Sequence, residues 1–122
     1  MHIRKFKDVK PFAGRDKTEI RQYFQPDNTN KEIRYSLAHF TLGPSNRSAK
    51  HKINSSEVYF ILEGRGEIVI DGDVFEVDAG DAVFIPPQRI QFIKNIGDMD
   101  LKFLCIVDPA WRQEDEIILE DD

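Results

Sequence analysis

Hydrophobic residues from position 35 onward come in short runs cut by turn residues, and the runs carry the period of a β-strand. YSLAHFTL (35–42) alternates, with Ala38, Phe40 and Leu42 on one face and His39 on the other. Gly43-Pro44-Ser45-Asn46 ends it. VYFIL (58–62) is continuous and rich in β-formers, which predicts a strand buried on both sides. GEIVI (66–70) follows so soon that a hairpin through Glu63-Gly64-Arg65-Gly66 is expected.

Asp71-Gly72 is a two-residue turn signal, because both central positions of a type I′ turn need positive φ. DVFEV (73–77), AVFI (82–85), RIQFI (89–93) and LKFLCIV (101–107) complete the series, with Pro86-Pro87 stopping the second of these. Turns roughly every eight to twelve residues predict an all-β sandwich or barrel. In the N-terminal third, TEIRQYF (18–24) reads as a strand and residues 25–30 as a loop.

A chain of 122 residues with 40% hydrophobic and 11% aromatic content makes one ordinary folded domain. No apolar run nears the roughly 20 residues of a membrane helix. The charged opening MHIRKFKDVK does not read as an export signal, and the single Cys105 forms no internal disulfide, so a cytoplasmic protein is expected. The net charge of -5 is uneven: six acids and no base fall in residues 113–122, leaving 16 acids against 17 Lys and Arg elsewhere. That end reads as a solvated acidic tail. No basic run or aromatic-interleaved basic stripe speaks for nucleic acid.

The chemistry-bearing stretch is HKINSSEVYFILEG (51–64). Together with GDAVFIPPQRIQFIKN (80–95) it resembles the two motifs of the cupins, small barrels built around a central pocket. The first motif has two His one residue apart, a Glu three or four residues on, and a Gly seven beyond. Glu57, Gly64 and His51 match it, and Ile53 stands in place of the second His. In the four-residue spacing both His positions would be Lys50 and Lys52. In the second motif Gly80, Pro86 and Asn95 match, while Gln88 replaces a Gly and Gln91 replaces the His. The resemblance spans about residues 37–107. It implies a single-domain antiparallel β-barrel of jelly-roll type, with barrel core about 35–107, N-terminal strands within 1–34, and an acidic tail at 113–122. It also implies a homodimer, for which the apolar strand faces of the N-terminal third offer an interface.

The implied metal ligands are His51, Glu57 and Gln91. A divalent transition metal (Mn, Fe, Ni, Cu or Zn) wants imidazole or carboxylate at about 2.0 to 2.2 Å. Gln91 offers only a neutral amide oxygen, so two strong ligands and one weak one remain. His39 would complete the set only if it turned inward, against the alternation. Without metal, an inward Glu57 still needs His51 or another donor. Tyr59 and Ile61 share the face of Glu57, Ile53 that of His51, and Arg89 that of Gln91, which makes these four the expected pocket residues; Arg89 is otherwise a solvated side chain. Cys105 reads as a small buried hydrophobe. Ser55 and Ser56 have no second His to activate them, and no glycine cluster opens a helix.

Three readings follow. The first is a small-molecule-binding barrel whose metal site is weakened or lost. The second is a metal-dependent enzyme (isomerase, dioxygenase or lyase) using His51, Glu57 and Gln91. The third is an interaction module resting on the acidic tail.

Overall fold

The computed structural model describes residues 2–14 and 18–119. Among them are eleven strands: β1 (Phe12–Ala13), β2 (Glu19–Phe24), β3 (Ser36–Leu42), β4 (His51–Lys52), β5 (Ser56–Glu63), β6 (Arg65–Ile70), β7 (Asp73–Asp78), β8 (Ala82–Ile85), β9 (Gln91–Asn95), β10 (Leu101–Asp108) and β11 (Ile117–Ile118). They form two antiparallel sheets, β1-β2-β3-β10-β5-β8 and β11-β4-β9-β6-β7. The inner faces meet in one apolar core containing Leu42, Ile61, Ile68, Ile93, Leu101 and Phe103. Phe103 sits at its centre, with ring centroids 4.8 Å from Tyr59 and 5.3 Å from Phe40. Burying each such side chain contributes about 1.5–3 kcal/mol.

The Asp71-Gly72 turn is present as expected. Both residues take positive φ, 48° and 88°, and Ile70 pairs with Asp73 across it. The hairpin expected at 63–66 is not. β5 pairs with β10 and β8, whereas β6 pairs with β7 and β9, so the chain changes sheets at Gly64. Strand β5 is also not buried on both sides: Glu57, Tyr59 and Ile61 face in, while Phe60 and Leu62 are exposed on the outer face. Its continuous hydrophobicity therefore describes an inner core face and an apolar outer face. Gln88, where the motif would have glycine, takes a left-handed φ of 66° and donates from its side-chain amide to Asn54.

The acidic end is only partly a tail. Ile117 and Ile118 pair with Lys52 and His51, adding β11 to the second sheet. Glu120, Asp121 and Asp122 lie outside the described residues.

His39 turns away from the space between the sheets, as the alternation requires, yet it is buried. Phe6, from the short 3-10 turn Phe6–Asp8, packs edge-on against its ring at 5.4 Å, and the Arg21 guanidinium lies 4.2 Å from the centre of the Phe6 ring. The Nδ1 of His39 is buried with no hydrogen-bond partner among the described residues. Loss of water, then the charges of Arg21 and Lys102, hold its pKa below the usual 6.5, against the weaker pull of the residue's own backbone and of Glu19. The protonated ring is thus disfavoured in the folded state. Its stabilising contribution is complete above the unfolded pKa and is lost as pH falls below about 6.5. Urea unfolding at pH 7.5 and 5.5 checks this: the wild type loses stability at the lower pH, and His39→Leu loses measurably less. An equal loss in both proteins would show that His39 is not the group responsible.

Candidate functional site

Register brings together residues that lie far apart in the chain. In the second sheet His51 pairs directly with Gln91, which sets the two side chains next to each other on the inner face. In the first sheet Tyr59 pairs with Cys105, and Glu57 with Val107. The two inner faces then meet. Gln91 donates from its amide nitrogen to Oε1 of Glu57, and accepts from the Tyr59 hydroxyl at 2.9 Å. The Cys105 thiol donates to the other carboxyl oxygen, Oε2, at 3.4 Å. Both oxygens of Glu57 accept hydrogen bonds. Glu57, Gln91, Tyr59 and Cys105 are each 5% exposed or less, so a buried carboxylate is met by hydrogen bonds from the opposite sheet and from its own.

His51, also buried, lies beside this group. Its Nδ1 is 2.8 Å from the carbonyl of Ala49. A carbonyl only accepts, so Nδ1 carries a proton, and in the neutral ring Nε2 is the acceptor.

These residues form the floor of a cavity of about 260 Å3. Ile53 joins the wall beside His51, and Phe40, Ile20 and Val107 make it apolar. Two further segments line it: Phe12 and Ala13 of β1, and Trp111, Gln113 and Glu116 beyond β10. The second segment leaves β10 through a cis Asp108–Pro109 bond. It is fastened by the Trp111 amide on Ser36 Oγ at 3.2 Å and the Ser55 hydroxyl on the Pro109 carbonyl at 2.6 Å.

Of the expected site residues, His51, Glu57, Ile53 and Tyr59 line the cavity, and Gln91 is bonded into its floor. Ile61 lies in the apolar core instead of the wall, and Arg89 pairs with Asp71 at 3.6 Å on the surface. Cys105, read as an inert hydrophobe, hydrogen-bonds Glu57. Trp111, Gln22 and Glu116 were not anticipated. The one tryptophan, falling just past the last long strand, was the available signal for a closing element.

The donors do not make the set a divalent transition metal requires. Gln91 uses its amide nitrogen on Glu57 and its oxygen on Tyr59, and both Glu57 oxygens already accept. His39 points elsewhere. Among the described residues no three His, Cys, Asp or Glu side chains converge as ligands. Lewis-acid chemistry at this floor would first have to break a hydrogen-bond chain that satisfies the buried carboxylate.

Residues 38–107 match the model of the cupin domain, and the chain belongs to the cupin family. An uncharacterized protein of Methanocaldococcus jannaschii is 40% identical over 113 residues, 92% of this chain and 90% of that one. An oxalate-binding protein of Thermotoga maritima is 27% identical over 78% of each chain. Among solved structures, the polyketide cyclase RemF of Streptomyces resistomycificus superposes with a TM-score of 0.80 at 24% identity, over all of this chain and 89% of that one, a likeness of fold. Binding proteins and enzymes thus both occur among the proteins this chain resembles.

Proposed function

We propose that the chain is a single cupin domain, its two sheets the halves of a jelly-roll barrel, that binds a small molecule in the cavity between them without a metal. One observation carries the reading: of the residues at the family's metal positions, Glu57 and Gln91 are hydrogen-bonded to each other and Ile53 offers no ligand atom, beside a cavity between the sheets. The Thermotoga relative, named for binding oxalate, accords with a binding role. The lone thiol accords with a cytoplasmic setting.

The test combines elemental analysis with thermal denaturation in the presence of monocyclic fragments of about ten heavy atoms. Metal stays well below one equivalent, and some fragments raise the melting temperature of the wild type but not of Ala38→Phe, which fills the cavity. One equivalent of metal that disappears in both His51→Ala and Glu57→Ala would overturn the reading in favour of the metal-dependent enzyme.

The protein also acts as a homodimer in this reading. The interface proposed is not the N-terminal third but the outer face of β5, β8 and β10, where Phe60, Leu62, Phe84 and Ile106 are at least 40% exposed and Phe84 and Ile106 flank Val58 from either side. An apolar sheet face of this kind suits a second copy better than water does. Gel filtration of the wild type gives the mass of two chains and of Phe84→Glu the mass of one. A wild type that elutes as one chain sinks the dimer.

A further inference from the structure

The chain ahead of β1 runs over the outer side of the first sheet before it reaches the cavity. Arg4 donates to the Asn28 carbonyl at 2.9 Å and lies over the Phe24 ring, and Phe6 packs on His39. A few residues later β1, two residues long, pairs with Ile20 and Glu19 of β2, and Phe12, Ala13 and Gly14 line the cavity. One strap, residues 4–14, therefore touches His39 at one end and walls the cavity at the other. The atoms beneath Phe6 suit a neutral ring and not a charged one. Arg21 and His39 pair across β2 and β3, so their side chains are neighbours. Arg21 Nε and His39 Nδ1 are both buried, and among the described residues neither has a hydrogen-bond partner. Gln22 Oε1, stranded in the same way, belongs to the next residue, on the cavity side of β2. The charges around His39 come from three elements. β2 brings Arg21 and Glu19, bound to each other at 3.2 Å; β10 brings Lys102, bound to Glu63 of β5 at 3.2 Å; and the 3-10 turn brings Lys7 and Asp8, both exposed. Glu19 and Glu63 are thus engaged by cations already in place.

From this arrangement we infer that residues 4–14 are a pH-operated flap: a proton on His39 displaces Phe6, β1 leaves the cavity wall with it, and the cavity opens in mild acid. The flap goes beyond the small-molecule reading above and needs no particular ligand. With Phe6 in place, a charged ring holds a proton on Nδ1 that has no acceptor, beside Arg21 and Lys102. With Phe6 lifted, water reaches both ring nitrogens and Arg21 Nε, and the charge is solvated. The open form therefore binds the proton more tightly than the closed one, in line with the way burial and the two cations lower the pKa of the closed form. By linkage, acid shifts the balance toward the open form, by at most about tenfold for each pH unit below the ordinary value of about 6.5. Little else has to give way, because a ladder of two residues is marginal once the rest of the strap has let go.

Two readouts on the whole chain, at pH 7.5 and 5.5, test it. Amide hydrogen exchange followed by mass spectrometry, corrected for the intrinsic effect of pH, reports opening of residues 4–14, with β9 and β10 as internal references. Cys105 is the one thiol, lines the cavity and is 2% exposed, so its labelling reports entry to the cavity. The reagent is 4,4′-dithiodipyridine, and each rate is divided by that of the urea-unfolded chain at the same pH. On acidification both readouts rise by about fivefold, within the limit of about tenfold that one proton allows over this interval, while β9 and β10 keep their protection. In His39→Leu both rises fall below about twofold. Phe6→Ala removes a half-exposed ring outside the core; it opens the strap at pH 7.5 and flattens the pH dependence, which keeps the flap testable if His39→Leu fails to fold. A rise that persists in folded His39→Leu overturns the trigger, leaving His2 or His51 as its source. Exchange that rises without Cys105 labelling overturns the link to the cavity. No rise in either readout, or an equal loss of protection in β9 and β10, overturns the flap itself.

Discussion

Gln91→Leu lowers the stability of the protein by about 3 kcal/mol, with no gain from the added hydrophobicity. The side chains are close in volume, so the effect is one of hydrogen bonding and leaves little cavity. Gln91 is 1% exposed and bridges the sheets, donating to Glu57 and accepting from Tyr59. Leucine strips both in one step. The carboxylate loses the donor on Oε1, the Tyr59 hydroxyl loses its acceptor, and neither gains water in exchange. Removing the charge as well changes the sign of the next step. Glu57→Leu added to Gln91→Leu recovers at least half of the loss, because an apolar pair costs less than a buried charge deprived of a partner. Urea midpoints of the two single variants and the double variant measure the coupling. Losses that simply add would mean the bridge is incidental to stability, and the proposed metal-free reading would lose its support.

That bridge could be only half seen in the sequence. A period of two is a local property, so it placed Glu57, Tyr59 and Ile61 on one face and turned His39 outward, and the structure agrees on each. The Asp71-Gly72 turn was legible for the same reason, since its geometry depends on two adjacent residues. Sheet membership is not local. Glu63 and Arg65 looked like the two sides of a hairpin because nothing within four residues says that β5 and β6 join different sheets. The same limit hid the partners of Glu57: Cys105 is 48 residues away and Gln91 is 34, and only the strand registers bring them close. Gln91 had a place in the motif from which to be noticed, while Cys105 had none. The cavity's closing elements failed for another reason. Trp111 and Glu116 sit in a segment without strand periodicity, and the surrounding acids disguised the Ile117-Ile118 pair as part of a solvated tail. Gln22 lies in a strand that was expected, but what its oxygen lacks is a property of the packed structure alone.

The sheet change at Gly64 gives the second large effect. Gly64→Ala destabilises the protein by about 3 kcal/mol or more, whereas Gly72→Ala costs about 1 kcal/mol. Both glycines have a φ of 88°, so the penalty for a left-handed backbone is common to the two. Their surroundings separate them. A Cβ on Gly72 meets nothing within 4 Å, because the hairpin tip projects into solvent. A Cβ on Gly64 would lie 2.7 Å from the carbonyl oxygen of Asp100 and 3.1 Å from Cα of Leu101. Those are backbone atoms at the start of β10, the strand at the centre of the first sheet, and Leu101 is itself fully buried. The clash cannot be relieved by a side-chain rotation; either the corner opens or β10 moves away from β5. The motif glycine at this position is therefore a corner at which one strand end passes against another, and its role is independent of whether a metal is bound. Equal denaturant midpoints for Gly64→Ala and Gly72→Ala would refute this account, leaving φ alone as the reason for glycine at both sites.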